Sequence, residues 1–212
     1  MSINITNEDN LKLMKRYEDN YFDLAIVDPP YGINRSGQQE TFTKLKKHKR
    51  KYHKQKEWDN LTPTKEYFNE LQRVSKNQII WGANYFVKHL TKGTMGWIVW
   101  FKGQIGLTMS DCELAYSSFQ RATRVVNINR SDLARQNTIH PTEKPIRLYQ
   151  WILENYAKQG DKILDTHLGS GSIAIACHNL GYELTACELD TEYYNNAIER
   201  LKQHQAQQRL FV

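Results

Sequence analysis

The sequence predicts an α/β fold, with a mostly parallel sheet and helices on both faces. Two observations carry this. Short apolar, β-rich runs alternate with segments of helical period. One of those alternations, "LDTHLGSGSIAIA", passes from strand to helix through a glycine turn. At 212 residues the chain has room for one good-sized domain with a real core, and 1–212 reads as a single domain.

The elements follow in order. "FDLAIVD", Phe22 to Asp28, is the first strand read from the pattern. A long polar insertion, 34–61, follows it. "TKEYFNELQRVS" has Tyr67, Phe68, Leu71 and Val74 at helical spacing. "QIIWG" and "GWIVWF" read as buried strands, and "CELAYSSF" and "RVVNI" are further strand candidates. "IRLYQWILENYA" places Ile146, Tyr149, Ile152, Leu153 and Tyr156 on one helical face. "DKILDTHLGSGSIAIACHNLG" reads as strand, turn and helix, ended by Gly181. "YELTACELD" is a strand, and "TEYYNNAIERLKQHQ" a closing helix. In such sheets ligands bind beyond the carboxyl ends of the strands. Parallel strands would therefore align Asp28, Asp165 and Glu188 along one edge.

Composition narrows the classes. No apolar stretch approaches the ~18–20 residues of a membrane span. The polar, mixed-charge "MSINITNEDNLKLMKRYEDN" does not read as a signal peptide, so a cytoplasmic location is expected. Cys112, Cys177 and Cys187 form no CxxC and read as small buried residues, not a disulfide or zinc framework. The net charge is +6, and it is concentrated: "KLKKHKRKYHKQK", Lys44 to Lys56, holds eight Lys or Arg and no acid. Such a run is either a solvated segment or the footprint of phosphate binding, here with Tyr52 inside it and Trp58 just beyond. Within it, Lys46, Lys47, Lys49, Arg50 and Lys51 are the candidate nucleic-acid contacts.

"LAIVDPPYGINRSG" runs from an apolar strand straight into Asp-Pro-Pro-Tyr. Pro29 and Pro30 stiffen the backbone and remove two N–H donors. Asp28, before a proline, is biased to extended backbone. The result is a rigid shelf at a strand end, carrying one carboxylate and one aromatic ring, Tyr31.

The glycine turn carries a second candidate site. Gly169, Gly171 and Ala174 match the G-x-G-x-x-G/A spacing of nucleotide-binding turns. Glu188 ends the next strand, where an acid can accept from both ribose hydroxyls. Asp165 stands four residues before the glycines and would repel a pyrophosphate. It suits a cationic cofactor that carries an amino group, and S-adenosylmethionine, a sulfonium with an ammonium, fits that description.

Taken together, DPPYG at 28–32, "IIWGANYF", "GWIVWFKG", HPTEKP at 140–145 and the turn at 165–172, in this order, resemble the β-class DNA amino-methyltransferases of bacterial and phage modification systems. In that class the catalytic tetrapeptide precedes the cofactor turn. The resemblance spans roughly residues 20 to 201 and implies a Rossmann-like methyltransferase fold. It also implies S-adenosylmethionine as methyl donor, S-adenosylhomocysteine as product, no metal, and double-stranded DNA as partner. Asp-Pro-Pro-Tyr in place of Ser-Pro-Pro-Tyr favours adenine N6 over cytosine N4. The resemblance assigns Asp28 and the Pro29 carbonyl to the target amine, beside the cofactor, and Tyr31 to stacking on a flipped base. It sets Asp165, Gly169, Ser170, Gly171 and Ser172 around the methionine moiety and Glu188 on the ribose. Thr142 and Lys144 would meet the cofactor's carboxylate. His167 is either a cofactor neighbour or a turn-packing histidine.

DNA sequence would be read from a small region. Segment 120–139, with Arg121, Arg124, Arg130 and Arg135, is the main candidate, and 34–61 the other. So small an apparatus suggests a short site, relaxed specificity or a homodimer. A cognate restriction enzyme encoded separately would be a natural companion. Cytosine-N4 and RNA-base methylation stay open within this class. A nicotinamide dehydrogenase leaves DPPY and HPTEKP unexplained. A catalytically dead DNA-binding subunit is at odds with intact Asp28, Tyr31 and Asp165.

Overall fold

The computed structural model describes residues 2–34, 59–90, 93–106, 110–129 and 142–209. Eight strands form one sheet in the order β1-β8-β7-β2-β3-β5-β4-β6. They are β1 (Ile3–Asn7), β2 (Phe22–Val27), β3 (Ser75–Trp81), β4 (Ile98–Phe101), β5 (Cys112–Ser117), β6 (Arg124–Asn127), β7 (Lys162–Asp165) and β8 (Glu183–Glu188). Every neighbouring pair is parallel except the two that involve β5. The helices are α1 (Asn10–Met14), α2 (Lys65–Val74), α3 (Ile146–Tyr156), α4 (Ser172–Leu180) and α5 (Thr191–Arg209).

The central strands are apolar on both sides because helices cover both faces. Leu24 and Ile26 of β2, with Ile79 and Trp81 of β3, face a core completed by Leu148, Ile152 and Leu153 of α3 and Ile173 of α4. Ala25, Val27 and Ile80 point the other way, onto Leu13 and Met14 of α1 and Tyr67, Phe68 and Leu71 of α2. Each such aliphatic side chain, fully buried, contributes about 1.5–3 kcal/mol. Two elements were not read from the pattern, β1 and α1. Both are short, but each is anchored. β1 pairs with β8, Ile3 opposite Leu184, and the Asp9 side chain caps α1 by accepting from the N–H groups of Leu11 and Lys12.

Two consequences matter for function. The parallel strands align Asp28, Asp165 and Glu188 at the carboxyl edge, as expected. The antiparallel β5 brings its first residues, Cys112 and Glu113, to that same edge, opposite Phe101 and Trp100 of β4. Of the cysteines, Cys177 and Cys187 are buried and Cys112 is half-buried. No described helix is long and apolar enough to cross a membrane.

Candidate active site

The shelf is held from below by a residue that sequence reasoning missed. Asp59 is buried, and its Oδ1 accepts from the backbone N–H groups of Tyr31 and Gly32 at 2.8 and 3.0 Å. One carboxylate thereby satisfies two amides that the prolines leave outside any ladder. The Asn34 N–H also donates to the Asp59 carbonyl at 3.1 Å, tying together the two ends of the polar insertion. A single Asp after a tryptophan carries no local signal of this role.

Gly82 makes the space for the aromatic ring. It follows β3 with φ +65°, and a Cβ built there would lie 2.1 Å from Tyr31 Cε1. The ring lies against Tyr85, centroids 5.2 Å apart and planes 15° from parallel. Tyr85 itself is exposed. We expect Gly82→Ala to cost at least about 1–3 kcal/mol from left-handed backbone strain alone. It also drives Tyr31 from its place, so methyl transfer should fall further than thermal stability. Equal losses in turnover and folded fraction would refute that.

Asp28 is enclosed by donors. Its Oδ1 accepts from the Tyr31 hydroxyl at 2.7 Å, and its Oδ2 is ion-paired with Lys144 Nζ. Lys144 also meets Glu113 Oε2 at 3.2 Å, and Lys102 Nζ meets Glu113 Oε1 at 2.7 Å. Burial pushes Asp28 above the usual carboxylate range, opposed by Lys144. Burial acts on Glu113 in the same sense, but the two lysines outweigh it and hold Glu113 down at about 2. Lys144 is raised because Asp28 and Glu113 together overcome its burial.

The glycine turn forms the second half. Asp165 is buried at the end of β7; its Oδ1 accepts the His167 N–H at 3.0 Å, and no described cation pairs with it. Burial, with Asp28 and Glu188 nearby, raises it to about 8. Gly171 has φ +74°, and a Cβ there would press on Ala197 Cβ at 3.1 Å, so glycine lets α4 start close against α5. Glu188 is fixed by two amides, Gly169 N–H and Asp190 N–H, each donating at 2.9 Å. Each carboxylate oxygen keeps lone-pair capacity for a hydroxyl. A buried acid, a glycine turn and an oriented second acid fit an adenosyl cofactor carrying positive charge.

Several expected residues are engaged elsewhere. Ser172 Oγ lies 3.0 Å from Ser170 Oγ and accepts from Arg200 at 3.1 Å, and Arg200 also pairs with Glu143 at 2.7 Å. That arrangement ties HPTEKP to the glycine turn through α5. His167 bridges Thr166 Oγ1 at 2.9 Å and Asn10 Nδ2 at 3.1 Å, and burial lowers it to about 3, so it is neutral. Its geometry is that of the turn-packing alternative. Thr142 is exposed beside buried Glu143 and Lys144. Pro29 is buried and Pro30 half-buried in the shelf.

Among the described residues, the basic candidates Arg121 and Arg124 lie away from Asp28. Arg124 opens β6 opposite Ile98, at the amino end of the parallel strands, the far edge from the site. Arg121 donates to the Asn155 carbonyl at 2.7 Å and lies 5.5 Å from the ring centroids of Phe119 and Tyr156. Lys46, Lys47, Lys49, Arg50, Lys51 and Arg130 lie outside the described residues, as do most of 34–61 and of 120–139.

A doubly covered, mostly parallel sheet with a proline shelf and a glycine turn on one edge defines a nucleotide-cofactor α/β enzyme of the methyltransferase type. Residues 80–199 match the family model described as DNA methylase, N6/N4 type. The chain belongs to this family of DNA amino-methyltransferases. It is 25% identical over 236 aligned positions to the type II methyltransferase M.HpaI of Haemophilus parainfluenzae, covering 90% of this chain and 71% of that one. Its fold matches M1.HpyAVI, solved as a SAM complex, with TM-score 0.62 and 19% identity over 94% of this chain and all of that one. It also matches the cytosine-N4-specific PvuII DNA methyltransferase, with TM-score 0.64 and 11% identity over 96% and 91% of the two chains.

Proposed function

We propose that this chain transfers a methyl group from S-adenosylmethionine to the exocyclic N6 of an adenine turned out of double-stranded DNA. The observation that carries the reading is the buried pairing of Asp28 with an ammonium. The shelf carboxylate sits where it binds an N–H donor, on the edge that holds Asp165 and Glu188.

A base in a duplex hides its exocyclic nitrogen, so it must be extruded. Tyr31 offers a ring, and stacking returns about 1–3 kcal/mol per base. Adenine's amine lone pair is delocalised into the purine. Asp28 and the Pro29 carbonyl, accepting from the amine hydrogens, favour a pyramidal nitrogen and stabilise the positive charge that develops on it. The prolines and the Asp59 clamp keep both acceptors fixed, so little reorganisation is needed. Bound beside them, the sulfonium supplies an electrophilic methyl group. Transfer would form the N–C bond as the S–C bond breaks, leaving S-adenosylhomocysteine, and the surplus amine proton would then pass to solvent. On the cofactor side Asp165 holds the positive end of the methionine moiety and Glu188 the ribose.

Adenine is favoured by Asp at position 28. Incubating the protein with S-adenosylmethionine and a mixed-sequence unmethylated plasmid, followed by nucleoside mass spectrometry, should yield N6-methyladenine. N4-methylcytosine would reassign the base, and no methylated nucleoside would overturn the reading.

A further inference from the structure

The site contains a charge that the reaction as described does not use. Lys144 is 2% exposed and its Nζ occupies Asp28 Oδ2, while the Tyr31 hydroxyl takes Oδ1. Each oxygen of the carboxylate that must receive the target amine already has a donor, though each keeps a lone pair. The Lys144 ammonium is an N–H donor like that amine and sits on Oδ2 with a full charge, so it competes for the acceptor the base requires. It also bears the wrong charge to stay there, because positive charge develops on the amine during transfer. Driving a buried ammonium off its only anion would strand it. Here it has a second anion. Glu113, delivered to the edge by the antiparallel β5, holds the same Nζ at 3.2 Å, and Lys102 braces Glu113 from the other side at 2.7 Å.

We propose that Lys144 is the resident occupant of the target-amine subsite, and that Glu113 is the positioning residue that receives it when the base arrives. The inference rests on the methyl-transfer reading above and adds to it a residue outside the shelf and the glycine turn. While resident, Lys144 opposes the burial that raises Asp28, so it favours the ionised acceptor at the moment of exchange. Among the described residues six groups face Asp28: Lys144 ahead of α3, Glu113 of β5, Tyr31 of its own loop, Tyr149 of α3, Tyr67 of α2 and Asp165 of β7. Lys144 is the cation among them, and its removal leaves the Tyr31 hydrogen bond to lower Asp28 against burial and Glu113, which raise it.

The test is initial-rate methyl incorporation into unmethylated plasmid, with DNA and S-adenosylmethionine saturating, across pH 6 to 9. Wild-type incorporation tests the underlying reading, and variant-to-wild-type ratios test this inference. Glu113→Gln should lower kcat at least about thirtyfold with S-adenosylmethionine affinity within about twofold, and Glu113→Asp should recover part of the loss. Adding Lys144→Met to Glu113→Gln should raise the rate again, because a methionine side chain donates nothing to Asp28. Lys144→Gln alone should show a rate that climbs with pH, up to about tenfold per unit, where the wild type is flatter. That profile does not require the Glu113 variants to fold. A wild-type kcat in Glu113→Gln, a double variant no faster than the single, or a Lys144→Gln profile parallel to wild type would each overturn the inference.

Discussion

Asp28→Ala should lose methyl transfer by about 10²–10³-fold or more while S-adenosylmethionine affinity changes little. The magnitude follows from removing one preorganised electrostatic partner of the developing charge. The selectivity follows from position. Asp28 directly follows β2, whereas the cofactor's candidate holders, Asp165 and Glu188, end β7 and β8. Lys144 still has Glu113 at 3.2 Å in this variant, so no buried cation is stranded and the fold should persist. Tyr31 loses the acceptor of its 2.7 Å hydrogen bond, which adds to the loss but not to cofactor release. Single-turnover incorporation of labelled methyl groups measures the first effect, and calorimetry with S-adenosylmethionine the second. Near-normal turnover would show that Asp28 is not the amine's acceptor.

The sheet was legible because buried parallel strands announce themselves as short apolar runs, and Gly181 ended its helix where the pattern put it. The alignment of Asp28, Asp165 and Glu188 followed from strand direction alone. What escaped reading was whatever depends on contacts far apart in sequence. Asp59 acts on amides 28 and 27 residues before it, and Glu113 on a lysine 31 residues after it. No spacing rule links such positions. Glu113 reaches the edge only because β5 runs against its neighbours, and strand direction is not written in a six-residue apolar run. Lys144 was visible in its motif, but its partner was not. Its ammonium, which the resemblance turns toward a cofactor carboxylate, pairs within the protein with two half-buried carboxylates, Asp28 and Glu113. Arg121 and Arg124 qualify as base readers by residue type, arginine being the commonest reader of guanine. Residue type does not say where in the sheet an arginine falls, and Arg124 opens β6 at the amino end of the parallel strands.

Cofactor affinity should depend on pH through Asp165, weakening roughly tenfold or more between pH 8 and pH 6.5. Asp165 is held up at about 8 by burial, with Asp28 and Glu188 adding to it. Below that value the unliganded protein carries it protonated and neutral. A cation placed beside it favours the ionised form, so the complex has a lower pKa than the free protein. Binding therefore releases a proton below pH 8, and affinity falls as pH falls, with a slope approaching tenfold per unit. Above about pH 8 the carboxylate is already ionised and the dependence flattens. The same sign governs heat stability. A carboxylate raised on folding makes the unliganded fold less stable as pH climbs from about 4 to 8. Bound cofactor reverses this, so the rise in Tm at a fixed cofactor concentration should be larger at pH 8 than at 6.5. Asp165→Asn should abolish the slope and cost about 1.5–3 kcal/mol of affinity at pH 8, the value of a hydrogen bond to a charged group. S-adenosylhomocysteine keeps the ammonium and lacks the sulfonium. If Asp165 holds the ammonium, both ligands share the slope; a slope seen only with S-adenosylmethionine would move Asp165's contact to the sulfonium. Calorimetry at three pH values with each ligand measures this, and a flat profile in the wild type would remove Asp165 from the cofactor site.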